Sequence, residues 1–214
     1  MEAHAKGAVH VYRVICSPER TNNNAYIVVC PKTSEAVIID TPLEPEKVVA
    51  AARPFKVKAI LITHQHWDHL EGFKVVKEAI GAPAWIHPLD AEAMPQPPDL
   101  DLKPEGVLKV GTFQVKAIHA PGHTPGATCY LIDRFLFTGD TLFPGGPGAT
   151  RTPANLKTII QSITQRLHGL ADNTVVYPGH GAETTIGTSK KEYAVFASKT
   201  HPPDLCGDVL WLKS

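Results

Sequence analysis

The sequence predicts a four-layer α/β sandwich, an αββα arrangement of two mixed β-sheets face to face with helices on the outer faces. Two observations carry this. Short runs rich in β-branched residues alternate with helical stretches over most of the chain. The order of strands followed by helix, complete by about residue 90, begins again at Gly106, so the chain divides into two similar halves. Strand-like runs cover residues 9–15, 26–30, 36–39, 59–63, 84–87, 113–119, 127–132, 135–138 and 174–177. Helix-like stretches cover 44–52, 69–80, 153–167 and 189–197. The third has a clear entry signal, with Thr152 as N-cap and Pro153 at the first helical position. Its apolar residues Leu156, Ile159, Ile160, Ile163 and Leu167 fall on one helical face.

With 214 residues, 43% of them apolar and 20% charged, the chain suits one well-cored domain over 1–214. The apolar tail, residues 198–214, is expected to pack on that domain or on a partner, a homodimer included. The proline-rich stretch from Met94 to Asp99 reads as a loop inside the domain, too short for an interdomain linker. Lysine plus arginine equals aspartate plus glutamate at 21 each, which removes the usual electrostatic case for a nucleic-acid or anionic-membrane partner. No apolar stretch approaches the ~20 residues that span a bilayer. The first residues do not read as a signal peptide, and Cys16, Cys30, Cys129 and Cys206 form no CxxC pair. Reduced thiols and a cytoplasmic location are the expectation.

Eleven histidines are many for this length, and their placement is informative. Four segments, each at the end of a strand-like run, carry the chemistry: His64-Gln65-His66-Trp67-Asp68-His69, Pro121-Gly122-His123-Thr124-Pro125-Gly126, Thr138-Gly139-Asp140-Thr141 and Pro178-Gly179-His180-Gly181. A strand end fixes the backbone while the loop aims the side chain. His64 and His66 project to one side only on extended backbone, since on a helix they stand about 200° apart. Asp68 and His69 enter the first helical turn and point elsewhere, towards a second ion. Gly122, Gly139 and Gly179 each precede a candidate ligand and permit tight backbone there. Three imidazoles and a carboxylate in one short run would gain nothing from burial without partners. His4, His10, His87, His119, His168 and His201 stand alone and read as ordinary core or surface residues.

The motifs HxHxDH, PGHTPG, TGD and PGHG, in this order, resemble those of the metallo-β-lactamase superfamily, over about residues 9 to 190. The phrase FTGDTLF, from Phe137 to Phe143, is similar to the glyoxalase II (hydroxyacylglutathione hydrolase) branch. The resemblance implies two divalent metal ions, with His64, His66 and His123 on the first and Asp68, His69 and His180 on the second. Asp140 would bridge both. Mixed nitrogen and oxygen ligands suit zinc, with iron or manganese as alternatives. With two divalent ions, two carboxylates and a bridging hydroxide, such a core keeps a net charge of about +1.

Two ions ~3.5–4 Å apart can bring a shared water towards neutral pKa and polarise a substrate oxygen. The expected reaction is therefore hydrolysis of a small ester or thioester by a metal-bridging hydroxide, with solvent or Asp68, a ligand and the nearest ionisable group, giving a proton to the leaving group. Two features depart from the glutathione-specific branch. The stretch after His180 is too short for its helical C-terminal domain. Ala149 and Arg151 stand about where that branch has a Lys-x-Tyr pair. A lactonase or β-lactamase-like hydrolase would use the same ligand set. A persulfide dioxygenase would use one iron, on the equivalents of His64 or His66, His123 and Asp140. A phosphodiesterase relative would add a large domain, and a non-catalytic binding module would have lost ligands. Of the accessory residues, Trp67 is expected to pack beneath its loop, Thr184 or Thr185 to cap a turn, and Lys190 and Lys191 to lie on a solvated helix face.

Overall fold

The β-branched runs pair into two six-stranded sheets. In the computed structural model, which describes residues 2–214, the first sheet contains β1 (Ala5–Lys6), β2 (His10–Cys16), β3 (Asn23–Val29), β4 (Glu35–Ile39), β5 (Lys56–Leu61) and β6 (Ala84–Trp85), in that order. The second is built from β7 (Val107–Val110), β8 (Phe113–His119), β9 (Thr128–Ile132) and β10 (Phe135–Gly139). β11 (Leu142–Phe143) and β12 (Gly146–Pro147) form a separate ribbon, after which β13 (Val175–Pro178) and β14 (Thr184–Thr185) rejoin the second sheet. Each sheet opens as an antiparallel meander, β1 to β4 and β7 to β10, and then takes a parallel partner, β5 on β4 and β13 on β10. Parallel pairing needs a crossover, and a helix supplies it in both halves: α1 (Pro45–Ala52) before β5 and, after α2 (Trp67–Leu70) and α3 (Phe73–Ile80), α4 (Pro153–Ser162) before β13. The two halves read from the sequence are thus the two sheets with their helices.

Side-chain alternation along the strands sorts the core into layers. On β3, Tyr26 and Val28 enter the cluster between the sheets, where Phe137, Tyr130 and Tyr177 of the second sheet meet them. Ala25, Ile27 and Val29 point the other way, against Val48 and Ala52 of α1 and Phe73 and Val76 of α3. On the far side, Leu136 and Val176 pack under Ile159 of α4 and Phe196 of α5 (Ile186–Ala197). Every residue of β3 is buried, as expected of a strand covered on both faces.

Two helices depart from the sequence pattern, each for a visible reason. The stretch 69–80 breaks into α2 and α3 because Thr41 takes the His69 carbonyl through its N–H, at 3.0 Å, and through its hydroxyl, at 3.2 Å. A side chain on Gly72 would meet the Pro42 carbonyl, so the chain turns there and Asp40 arrives beside His69. The helix entering at Pro153 widens after Ser162, where the His168 N–H reaches back five residues to Ile163 at 2.9 Å. Its N-cap is as expected, with the Thr152 hydroxyl accepting from the Asn155 N–H.

The tail packs on its own chain. Val209 and Trp211 are buried in the cluster beneath α4 and α5. The Trp211 backbone N–H donates to the Gly145 carbonyl at 2.8 Å, and Thr150 and Gly207 exchange backbone hydrogen bonds. Trp211→Ala is expected to cost about 3–5 kcal/mol of stability, as large aromatic truncations in cores do. Urea unfolding of the two proteins measures it.

Candidate metal centre

The four motif segments follow β5, link β8 to β9, follow β10 and follow β13, and they converge. His64, His66 and His123 form one group of candidate ligands, Asp68, His69 and His180 a second, and His64, His69 and Asp140 a third that joins them; the ligand atoms within each lie within 4.8 Å of one another. In the first group His66 Nδ1 lies 3.2 Å from His64 Nε2 and 2.8 Å from His123 Nε2. In the second, His69 Nε2 and His180 Nε2 are 3.3 Å apart, with Asp68 Oδ2 3.3 Å from the latter. Asp140 reaches both groups: its Oδ1 is 3.4 Å from His69 Nε2, and its Oδ2 is 3.4 Å from His180 Nε2 and 3.6 Å from His123 Nε2. All seven residues singled out in the sequence therefore meet in one place.

The outer ring nitrogens explain why the inner ones face each other. His123 Nδ1 donates to the Ala149 carbonyl at 2.8 Å and His180 Nδ1 to the Thr21 carbonyl at 2.7 Å, since a carbonyl only accepts. His69 Nδ1 contacts Asp40 Oδ2 at 2.9 Å. The Thr63 hydroxyl donates to that same oxygen and so accepts from His64 Nδ1, 3.0 Å away. Four of the five imidazoles thus carry their proton outward and present Nε2 as a bare lone pair. Such anchoring of the far nitrogen is the usual support of a metal-bound histidine.

The residues fit a pair of metal ions. Lone pairs of two neutral imidazoles facing at 3.3 Å need a cation between them, and that separation is close to the ligand edge of about 3.3 Å in a tetrahedral zinc–nitrogen site. Asp140 Oδ1 is buried without a hydrogen-bond donor. A side chain on Gly179 would collide with that oxygen and come within 2.6 Å of the His69 ring, so the glycine keeps the cradle open by close approach. Gly139 acts differently, taking φ +49 to turn Asp140 inward. Electrostatics point the same way. Burial raises the Asp68 and Asp140 carboxyls, but hydrogen bonds from His180 and the charge of His69 hold both below the usual carboxylate range. Burial opposes a charge on His180, yet its hydrogen bonds to Asp140 and Asp68 raise it to about 10. Without an ion, then, the site draws protons in its place.

Three positioning residues escaped the sequence reading. Asp40, 2% exposed, accepts from the Thr63 N–H at 2.8 Å and orients both His64 and His69 as described. Its signal was available, since it follows an apolar strand just as Asp140 does. Asn23 donates to Asp68 Oδ2 at 3.0 Å. Asp90, fully buried, accepts from the Gln65 N–H, the Thr124 hydroxyl and the Gly126 N–H, tying the first motif loop to the second. Trp67 corrects an expectation: it is 51% exposed, with the Arg20 guanidinium 5.3 Å above its ring, because it starts α2 on the face turned from the core. Thr185 caps α5, whereas Lys190 is half-buried, its ammonium donating to the Leu170 carbonyl and to Asp172. Asp40→Ala is expected to weaken metal affinity about 10–100-fold, the usual cost of losing such a support. Competition with a chromophoric chelator reads it.

A cleft of about 460 Å³ opens over His123, Asp140 and His180. Its walls are the loop around Gly146 and Gly148 and the tail at Asp208, Val209 and Leu210.

Residues 18–194 match the model of the metallo-beta-lactamase superfamily. A hydroxyacylglutathione hydrolase of Polaromonas sp. is 36% identical over 74% of this chain and 62% of its own length. The Haemophilus influenzae hydroxyacylglutathione hydrolase GloC is 32% identical over 77% of this chain and 89% of its own. The solved structure of TTHA1623 in a di-iron-bound form superposes with a TM-score of 0.69 and 33% identity, covering 84% of this chain and 97% of that one. The chain belongs to the metallo-beta-lactamase superfamily, as a metallohydrolase whose His/Asp clusters are consistent with a dinuclear metal site.

Proposed function

We propose that this protein hydrolyses a small ester or thioester at a pair of divalent metal ions, zinc in the first instance. The observation that carries the reading is Asp140, whose two oxygens address the two ligand groups beside an open cleft. His64, His66 and His123 would hold one ion, Asp68, His69 and His180 the other, and Asp140 both. The bound pair would supply a water acidic enough to attack near neutral pH and a Lewis acid for the substrate oxygen. The chain's own residues do the rest. Asp40, Thr63 and the Thr21 and Ala149 carbonyls lock the imidazoles in the tautomer that leaves Nε2 free. Asp68 is held by Asn23 as a carboxylate beside His180 and His69, where it would take a proton from the attacking water and return it to the leaving group.

The likeness to GloC, which the chain covers almost end to end, supports the thioester reading. The di-iron form of TTHA1623 makes iron the first alternative metal. The test is a panel of thioesters, lactones, phosphodiesters and a β-lactam, assayed on zinc-loaded and chelator-treated protein. Thioester or ester hydrolysis that is lost on chelation and regained with zinc is the expected result. One iron per chain with oxygen uptake on glutathione persulfide would replace the hydrolase reading by a dioxygenase.

A further inference from the structure

The walls of the cleft say which substrates it accepts, given the hydrolase reading above. Beyond the metal-site residues its lining is glycine, proline, alanine and apolar side chains, with Asp208 as the one further charged residue and no lysine or arginine. Arg151, just before α4, is exposed and does not line the cleft. Asp208 is exposed, and nothing nearby neutralises it among the described salt bridges and hydrogen bonds. Its position is fixed from both sides: Gly207 pairs with Thr150, Val209 is buried, and Trp211 is tied to Gly145. A side chain on Gly146 would strike the Val209 carbonyl, so loop and tail are fitted to each other. A second clamp comes from the Glu192 carboxylate, which accepts the Gly145 N–H at 3.1 Å. The tail is therefore a fixed wall of the cleft, and Asp208 belongs to its lining.

We propose that residues 207–211 form the specificity wall of this enzyme, and that Asp208 makes it a hydrolase of esters and thioesters with a neutral or cationic leaving group, disfavouring anionic ones. A carboxylate-bearing thiol such as glutathione would meet Asp208 without a basic side chain in the lining to offset the repulsion. One unit charge near a solvent-exposed carboxylate corresponds to roughly a 3- to 10-fold preference, shrinking with salt.

The test compares acetylthiocholine, S-acetyl-N-acetylcysteamine and S-acetyl-3-mercaptopropionate on the zinc-loaded full chain and on Asp208→Lys. Calorimetric binding of the thiols thiocholine and 3-mercaptopropionate gives a readout that does not depend on turnover. The expected result is kcat/KM lower for the anionic thioester by roughly 3- to 10-fold in the parent. Asp208→Lys should shift the anionic-to-cationic ratio by about 10-fold or more, in kcat/KM and in thiol affinity alike. Because the ratio is compared between two proteins, any direct attraction of the carboxylate to the metal cancels. Thioester cleavage with a ratio that Asp208→Lys leaves unmoved would overturn the wall assignment and leave the hydrolase standing. Charge-ordered thiol binding that shifts in the variant, with no thioester cleaved, would uphold the wall and remove the hydrolase reading.

Discussion

Asp140→Ala is expected to lose the paired metals and to lower turnover by about three orders of magnitude or more. Asp140 contacts His69 with one oxygen and His123 and His180 with the other, and among the described residues no other carboxylate contacts histidines of both ligand groups. In the metal-free proteins Asp140 matters in another way. Against the effect of burial, the charge of His69 and a hydrogen bond from His180 hold its carboxyl well below the usual range, so the chelated variant should be less stable than the chelated parent at neutral pH. Only the parent should then gain stability on adding zinc, because binding to the native state stabilises it. Thermal unfolding of both proteins with zinc and with chelator reads both differences. A variant that binds zinc as the parent does, with equal stabilisation, would remove Asp140 from the centre.

Asp68→Ala should separate the two ions. Asp68 belongs to the group with His69 and His180, and it lies 3.3 Å from His180 Nε2 under restraint from Asn23. The group of His64, His66 and His123 does not contain it. The variant is therefore expected to keep one metal per chain and to lose nearly all turnover, since both a ligand and the nearest proton carrier go. Asp68→Asn should recover part of the metal and little of the activity, because an amide can ligate through oxygen but cannot accept the proton. Elemental analysis beside steady-state assays distinguishes these. Two metals and full activity in Asp68→Ala would sink the assignment.

Much of this was legible in the sequence where a local pattern and its structural role coincide. The alternation in residues 113–119 is β8 itself, and the HxHxDH run needs only a strand end followed by a helix to bring its residues together. What stayed hidden depends on pairing between distant segments. Asp40 becomes a support for His64 and His69 because β4 runs parallel to β5, placing it against Thr63, and because Thr41 interrupts the helix after His69. Asp90 acquires its role only when the loop at Gly126 closes on it. The start of β3 at Asn23 was missed because asparagine is a poor strand former. Pairing with Cys16 and the Asn24 N–H on Gly179 hold it there, beside the site it serves. The tail read as apolar, but nothing local said that it would wall the cleft.

Metal stoichiometry tests the central claim most directly. Protein purified without chelator, or reconstituted with zinc, should bind two ions per chain by elemental analysis. Anomalous diffraction should place one beside His64, His66 and His123 and the other beside Asp68, His69 and His180, with Asp140 reaching both. A single ion per chain at saturating metal, or two ions lying away from Asp140, would contradict it.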